Sequence, residues 1–161
     1  MAWLKMFTLF LLMPGIVDVL VPWLILSRAG RLAFTGLGVL QIVGLVLALA
    51  GLGLIVWVGQ AFIRGGNGTP APFDTPRRFV SEGLYRWVRN PMYLGVAILI
   101  PFGEAFFFAS AWLLPYMAVV ILLLHLYIVY SEEPALIKRF GRPYKKYLRT
   151  VPRWLPRPPR D

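Results

Sequence analysis

The chain has 161 residues, 58% of them hydrophobic, a mean hydropathy of +0.68 and no cysteine. It is more apolar than the about 45–50% usual in soluble domains, and the lack of thiols excludes disulfides, cysteine nucleophiles and Cys-based zinc or iron–sulfur centres. Its 17 Lys+Arg outnumber 7 Asp+Glu, but they flank apolar runs, which favours anionic lipid head groups over nucleic acid as their partner.

A membrane-crossing helix needs roughly 20 apolar residues. Residues 6–26 meet this, interrupted by Pro14, Asp18 and Pro22. Their length and the lack of a small-residue cleavage site read as a span and not a removed signal peptide. Asp18, between two prolines, could line a cavity. Residues 33–63 form a second span, long enough to tilt or project. Its Gly36, Gly38, Gly44, Ala48, Gly51 and Gly53 permit close helix approach in lipid.

Residues 64–91 read as a loop, because GGNGTPAPFDTPRR at 65–78 carries too much Gly and Pro for a helix. The apolar stretch 92–130 is about twice a span and must fold back. A bend near 103–111 gives spans at 92–108 and 112–130, with Glu104 solvated in the turn. His125 lies inside the last span and reads as a helix–helix hydrogen-bond partner, with nothing to supply a second metal ligand. The last helix is expected to continue through 131–140 and stop at Gly141, with Pro134 favouring a kink.

These readings give one all-α membrane domain over 1–161, with about four transmembrane helices and a C-terminal segment 131–161. Of the 17 Lys and Arg, all but Arg28 and Arg31 fall on the side of the termini. The positive-inside rule therefore places both termini, and both polar blocks described next, in the cytoplasm of a multi-pass inner-membrane protein.

The first block, GLYRWVRNPMYLG at 83–95, sets Arg86, Arg89, Asn90 and Tyr93 at the start of an apolar run. Pro91 keeps Asn90 out of helical geometry and suits a first helical turn. Free backbone N–H groups gather at such an entrance and favour an anion. The second block, EEPALIKRFGRPYKKYLRTVPR at 132–153, follows the last apolar run. Two carboxylates at an anionic surface need cationic partners. Adjacent helix positions differ by about 100°, so one of Glu132 and Glu133 should enter a shared site while the other faces Arg, Lys or water. Lys138, Arg139, Lys145, Lys146 and Arg149 suit a lipid-binding basic face, and Tyr144, Tyr147 and Trp154 suit interfacial aromatics. No G-x-G-x-x-G follows a strand and no Walker loop occurs, so no Rossmann domain is expected.

With these blocks the sequence resembles the integral-membrane isoprenylcysteine carboxyl methyltransferase and phospholipid methyltransferase superfamily. The shared pieces are GLYRWVRNPMYLG, the E-E-x-x-L of Glu132, Glu133 and Leu136, the F-G-x-x-Y-x-x-Y of Phe140 to Tyr147, and V-P-R at Val151–Arg153. They lie in the C-terminal half, in the family's order. The resemblance implies S-adenosylmethionine bound between the last helices and the C-terminal segment, and no metal. It also implies a lipophilic methyl acceptor reached from membrane lipid. Arg89 or Arg153 would hold the cofactor carboxylate, and Glu132 or Glu133 its ammonium or ribose. Asn90, Tyr93, Leu94, Tyr144 and Tyr147 would complete the site, with Trp154 offering a further ring face. Arg89 and Glu133 are the expected catalytic pair. Asn90 stands where many members have His, and Ile128 where many have Arg. The acceptor is therefore left open between an isoprenylcysteine-like carboxylate, which needs no general base, and a lipid amine, which must lose a proton. Two other readings compete: an NADPH-dependent membrane reductase of the sterol or steroid type, and a non-enzymatic lipid-binding scaffold.

Overall fold

The computed structural model describes residues 14–33, 36–64 and 81–159, and every regular element among them is helical. Helix α1 covers residues 15–28, with a π-type stretch Gly15–Leu20 leading into α-helical Val21–Arg28. Helix α2 is Val39–Arg64. A 3-10 turn at Gly83–Arg86 precedes α3, Pro91–Phe107, and then α4, Leu113–Phe140. Helix α5 is Arg142–Thr150, and residues 151–159 run on without regular structure. The start of the first expected span and the connector 65–78 lie outside the described residues.

Three prolines stand beyond the first turn of their helices, and each is preceded by a widened turn. A proline has no N–H to donate to the carbonyl four residues back, and its ring crowds that carbonyl. The residue before each proline donates instead five residues back: Val21 N–H to Ile16 O, Ile100 N–H to Gly95 O and Glu133 N–H to Ile128 O. Pro22, Pro101 and Pro134 are thereby absorbed as π turns without breaking the helix.

The bend expected near 103–111 is found at the far end of that range: α3 runs through Gly103 to Phe107, and the reversal occupies residues 108–112, with Ala109 at φ 45°. Gly103 does not break the helix because it is pressed against α2. Glu104, expected in a solvated turn, is therefore part of α3, and its Oε2 is buried with no hydrogen-bond partner among the described residues. Asp18 is likewise buried, with neither carboxylate oxygen partnered among them. The second helix also begins at Val39 and not near residue 33, after Gly36 at φ 105° and a Gly38 N–H bond to Gln41 Oε1 of 3.1 Å.

Helices α2 and α3 pack backbone to backbone. A methyl group on Gly44 would lie 2.5 Å from the Gly103 carbonyl oxygen, and one on Gly103 would lie 2.6 Å from that of Gly44. Gly51 and Gly95 face each other slightly less closely, 2.8 Å from a Gly95 methyl to the Gly51 carbonyl oxygen. Among the expected small residues, Gly44, Ala48 and Gly51 form this seam, whereas Gly53 faces open space. In lipid, where burial of apolar surface gives little drive between helices, such close contact is what holds a pair. Replacing Gly103 by Leu forces the helices apart and is expected to cost about 1–3 kcal/mol. Thermal unfolding in detergent reads this as a lowered midpoint, while Gly53→Leu leaves the midpoint unchanged.

The stretches Val39–Gln60 and Leu113–Phe140, 22 and 28 residues long, are each apolar enough to cross a membrane. Outside the seam their surface is bare Leu, Val and Ile, including Leu45, Leu49, Leu52, Val119, Leu122 and Leu123. A contiguous apolar surface of this kind marks contact with lipid or a partner. Helix α4 is about 42 Å long against a hydrocarbon core of about 30 Å. It is longer than a crossing needs, and Glu132 and Glu133 lie towards its C-terminal end.

Candidate functional site

At this end of the bundle the two polar blocks meet. As expected, Pro91 opens α3, with Asn90 held outside helical geometry at φ −124° and ψ 57°. Helix α4 continues past Pro134 to Phe140, and Gly141, at φ 62° and ψ −131°, turns the chain into α5. Only glycine adopts that conformation without strain. Helix α5 is amphipathic. Tyr144 and Tyr147 bury themselves with Val151 against Leu136, Ile137 and Phe140, while Arg142, Lys145, Lys146 and Arg149 face outward. The Tyr147 hydroxyl donates to the Tyr85 carbonyl at 2.7 Å, fastening α5 to the turn before α3.

The tail then crosses the first block. Arg89 N–H donates to the Pro152 carbonyl at 2.9 Å, Arg157 N–H to the Trp87 carbonyl at 3.0 Å, and the Asn90 side-chain amide to the Arg153 carbonyl at 3.2 Å. This strap delivers the Arg153 side chain to α4. Glu133 Oε1 accepts from Arg89 Nη1 at 2.7 Å and from Arg153 Nε at 2.9 Å, while Arg153 Nη2 reaches Oε2 at 2.9 Å. Arg153 therefore grips the carboxylate through two parallel bonds, the arrangement that suits guanidinium best. Glu132 accepts from the Tyr93 hydroxyl at 3.0 Å.

Both carboxylates thus meet the first block: Glu133 faces arginines, as expected for one of the pair, and Glu132 meets Tyr93. The π turn at Ile128–Glu132 supplies the reason. A wider turn holds more residues, so neighbouring side chains diverge less, and Glu132 reaches Tyr93 while Glu133 reaches the arginines.

The electrostatics follow from this layout. Burial pulls the Arg89 pKa below its ordinary value, against the opposing effect of Glu133. Arg153 is more exposed, and its bonds to Glu133 raise its pKa. Burial is also the first cause of the raised pKa values of Tyr85, Tyr144 and Tyr147. These hydroxyls therefore stay protonated, and that of Tyr147 is the donor to Tyr85.

Of the expected site residues, Arg89, Asn90, Tyr93, Glu132, Glu133 and Arg153 form one connected cluster. Tyr144 and Tyr147 pack beside it with ring centroids 5.9 Å apart. Leu94 is half-buried in the first turn of α3 and adds an apolar wall. The pairing of Trp154 with His125 was not anticipated. The indole N–H donates to His125 Nδ1 at 3.1 Å and the rings stack, so His125 binds the tail and not a neighbouring helix. Nor was a cleft of about 180 Å³ beside Arg89, lined also by Arg149, Thr150, Val151, Pro152 and Arg157. The proline-rich run after Val151 was the available signal, since such a sequence favours an extended strap.

Residues 39–143, more than half of the chain, match the family model described as phospholipid methyltransferase. The matched stretch holds Arg89, Asn90, Tyr93, Glu132 and Glu133 and ends before Arg153. No curated protein and no solved structure matches the chain.

Proposed function

The chain belongs to the phospholipid methyltransferase family, and from that premise we propose that it transfers a methyl group from S-adenosylmethionine to a lipophilic acceptor. The observation that carries this reading is the junction of Arg89, Glu132, Glu133 and Arg153 towards the C-terminal end of an apolar helix. We place it at the cytoplasmic face of an inner membrane, where the excess of Lys and Arg puts this end of the bundle.

The donor set fits the cofactor. Arg89 Nε is buried with no hydrogen-bond partner among the described residues, a donor available to a carboxylate beside the cleft. Glu132, held by one tyrosine hydroxyl, has acceptor capacity left for an ammonium or a ribose diol. At about 180 Å³ the cleft is below the about 300–1,000 Å³ of most ligand pockets. Full seating therefore requires the strap or its ion pairs to yield. S-adenosylmethionine would supply a methyl group activated by its sulfonium.

The residues of this chain supply position and shelter. Glu133, neutralised by two guanidinium groups, holds Arg89 and the strap in register and is not a proton acceptor. Tyr93 fixes Glu132, and Tyr144, Tyr147 and Leu94 keep water from the junction. Placement and exclusion of water are the main catalytic contributions in an in-line displacement. Calorimetry of the purified protein in nanodiscs tests the reading: S-adenosylmethionine binds and NADPH does not. Binding of NADPH alone would establish the reductase reading, and binding of neither would leave the scaffold.

A further inference from the structure

The strap fixes the protonation of a side chain below the polar junction. Indole Nε1 is a donor only, so the His125 nitrogen 3.1 Å from it carries a lone pair. The neutral imidazole then bears its hydrogen on the other nitrogen, which has no partner among the described residues. His125 is half-buried on α4, seven residues before Glu132, about 10 Å deeper along the helix axis. Positions 125 and 128 share one face of α4, and Ile128 on that face is 1% exposed. The π turn at Ile128–Glu132 separates this face from Glu132, so the imidazole sits about two turns below the polar junction.

Trp154 is itself held by the junction. Its neighbour Arg153 is gripped by Glu133, and the Arg153 carbonyl is held by Asn90. Polar junction, strap and imidazole thus form one connected path.

We propose that His125 is a specificity-determining residue that donates its free ring N–H to an oxygen of the lipid acceptor, a phosphate, ester or carboxylate oxygen, and that Trp154 is the positioning residue that sets this tautomer. The proposal rests on the methyl-transfer reading above. A histidine tied in this way offers a hydrogen bond to the acceptor's head group, which selects it without activating it. An isolated bond of this kind corresponds to about tenfold in affinity at most.

The sequence holds one histidine, so nitrogen-labelled histidine gives one pair of ring signals. In detergent micelles without phosphate, ester or carboxylate, Nδ1 is expected to be unprotonated and Nε2 protonated. Trp154→Phe should mix the two tautomers. Nanodiscs of phosphatidylethanolamine, or S-farnesyl-cysteine added to the micelles, should move the Nε2–H signal, and the arm that moves it identifies the source of the oxygen. A proton on Nδ1, or a signal that neither arm moves, overturns the proposal. In kinetics, His125→Leu should raise the acceptor KM about tenfold, and His125→Gln, whose amide can accept from the Trp154 indole and still donate, should recover most of it. An unchanged KM would also overturn it. Loss of S-adenosylmethionine binding by the unmodified protein would instead sink the methyl-transfer reading, so the two failures are separable.

Discussion

Replacing Glu133 by Ala is expected to lower the stability of the chain by about 3–5 kcal/mol and to abolish measurable S-adenosylmethionine binding. The side chain is 11% exposed and accepts from two guanidinium groups. Its removal leaves Arg89, 12% exposed, as an uncompensated buried cation. It also frees the strap, because Arg153 has no other side-chain partner among the described residues and then holds the tail only through its own carbonyl. Thermal unfolding in detergent gives the stability change. The double variant Glu133→Leu with Arg89→Met separates the two effects. Removing both charges recovers much of the stability, while cofactor binding stays lost because the carboxylate donor is gone.

Arg89→Lys is expected to lower kcat/KM for methyl transfer about 100-fold with a small change in melting temperature, as displacement of a positioned group by about 1 Å does. Lysine restores the charge facing Glu133 but presents one compact ammonium in place of a planar fork. It cannot meet Glu133 Oε1 and also leave a donor where the unpartnered Nε lies. The backbone bond from residue 89 to Pro152 survives the exchange, so the strap stays closed. Steady-state kinetics with cofactor and acceptor varied separately should show the loss mainly in the cofactor term.

How much of this could be read from the sequence depends on the range of the interaction involved. Pro91 as a helix start and Gly141 as a stop were legible because backbone sterics decide them locally. The meeting of the two blocks was legible from the charge at the ends of apolar runs. The bend after α3 was legible only as a range, because Gly103 and Ala109 look alike as possible breaks in one dimension. Gly103 stays helical and packs against Gly44. That one carboxylate faces arginines was legible from its need for cationic partners. The bond of Glu132 to Tyr93 was not, because regular helical spacing takes no account of the π turn before Pro134. The pairing of Trp154 with His125 spans 29 residues of sequence separation and depends on the route of the strap, which no local pattern encodes.

The central claim is methyl transfer to a lipophilic acceptor from this junction, and labelled transfer measures it most directly. The purified chain in nanodiscs of total membrane lipid, supplemented with S-farnesyl-cysteine, is given methyl-labelled S-adenosylmethionine, and the lipid products are separated by mass. The account predicts label in one lipophilic product with the unmodified chain and none with Glu133→Ala. Absence of labelled lipid from a folded chain that binds the cofactor, or equal labelling by the Glu133→Ala variant, would contradict it.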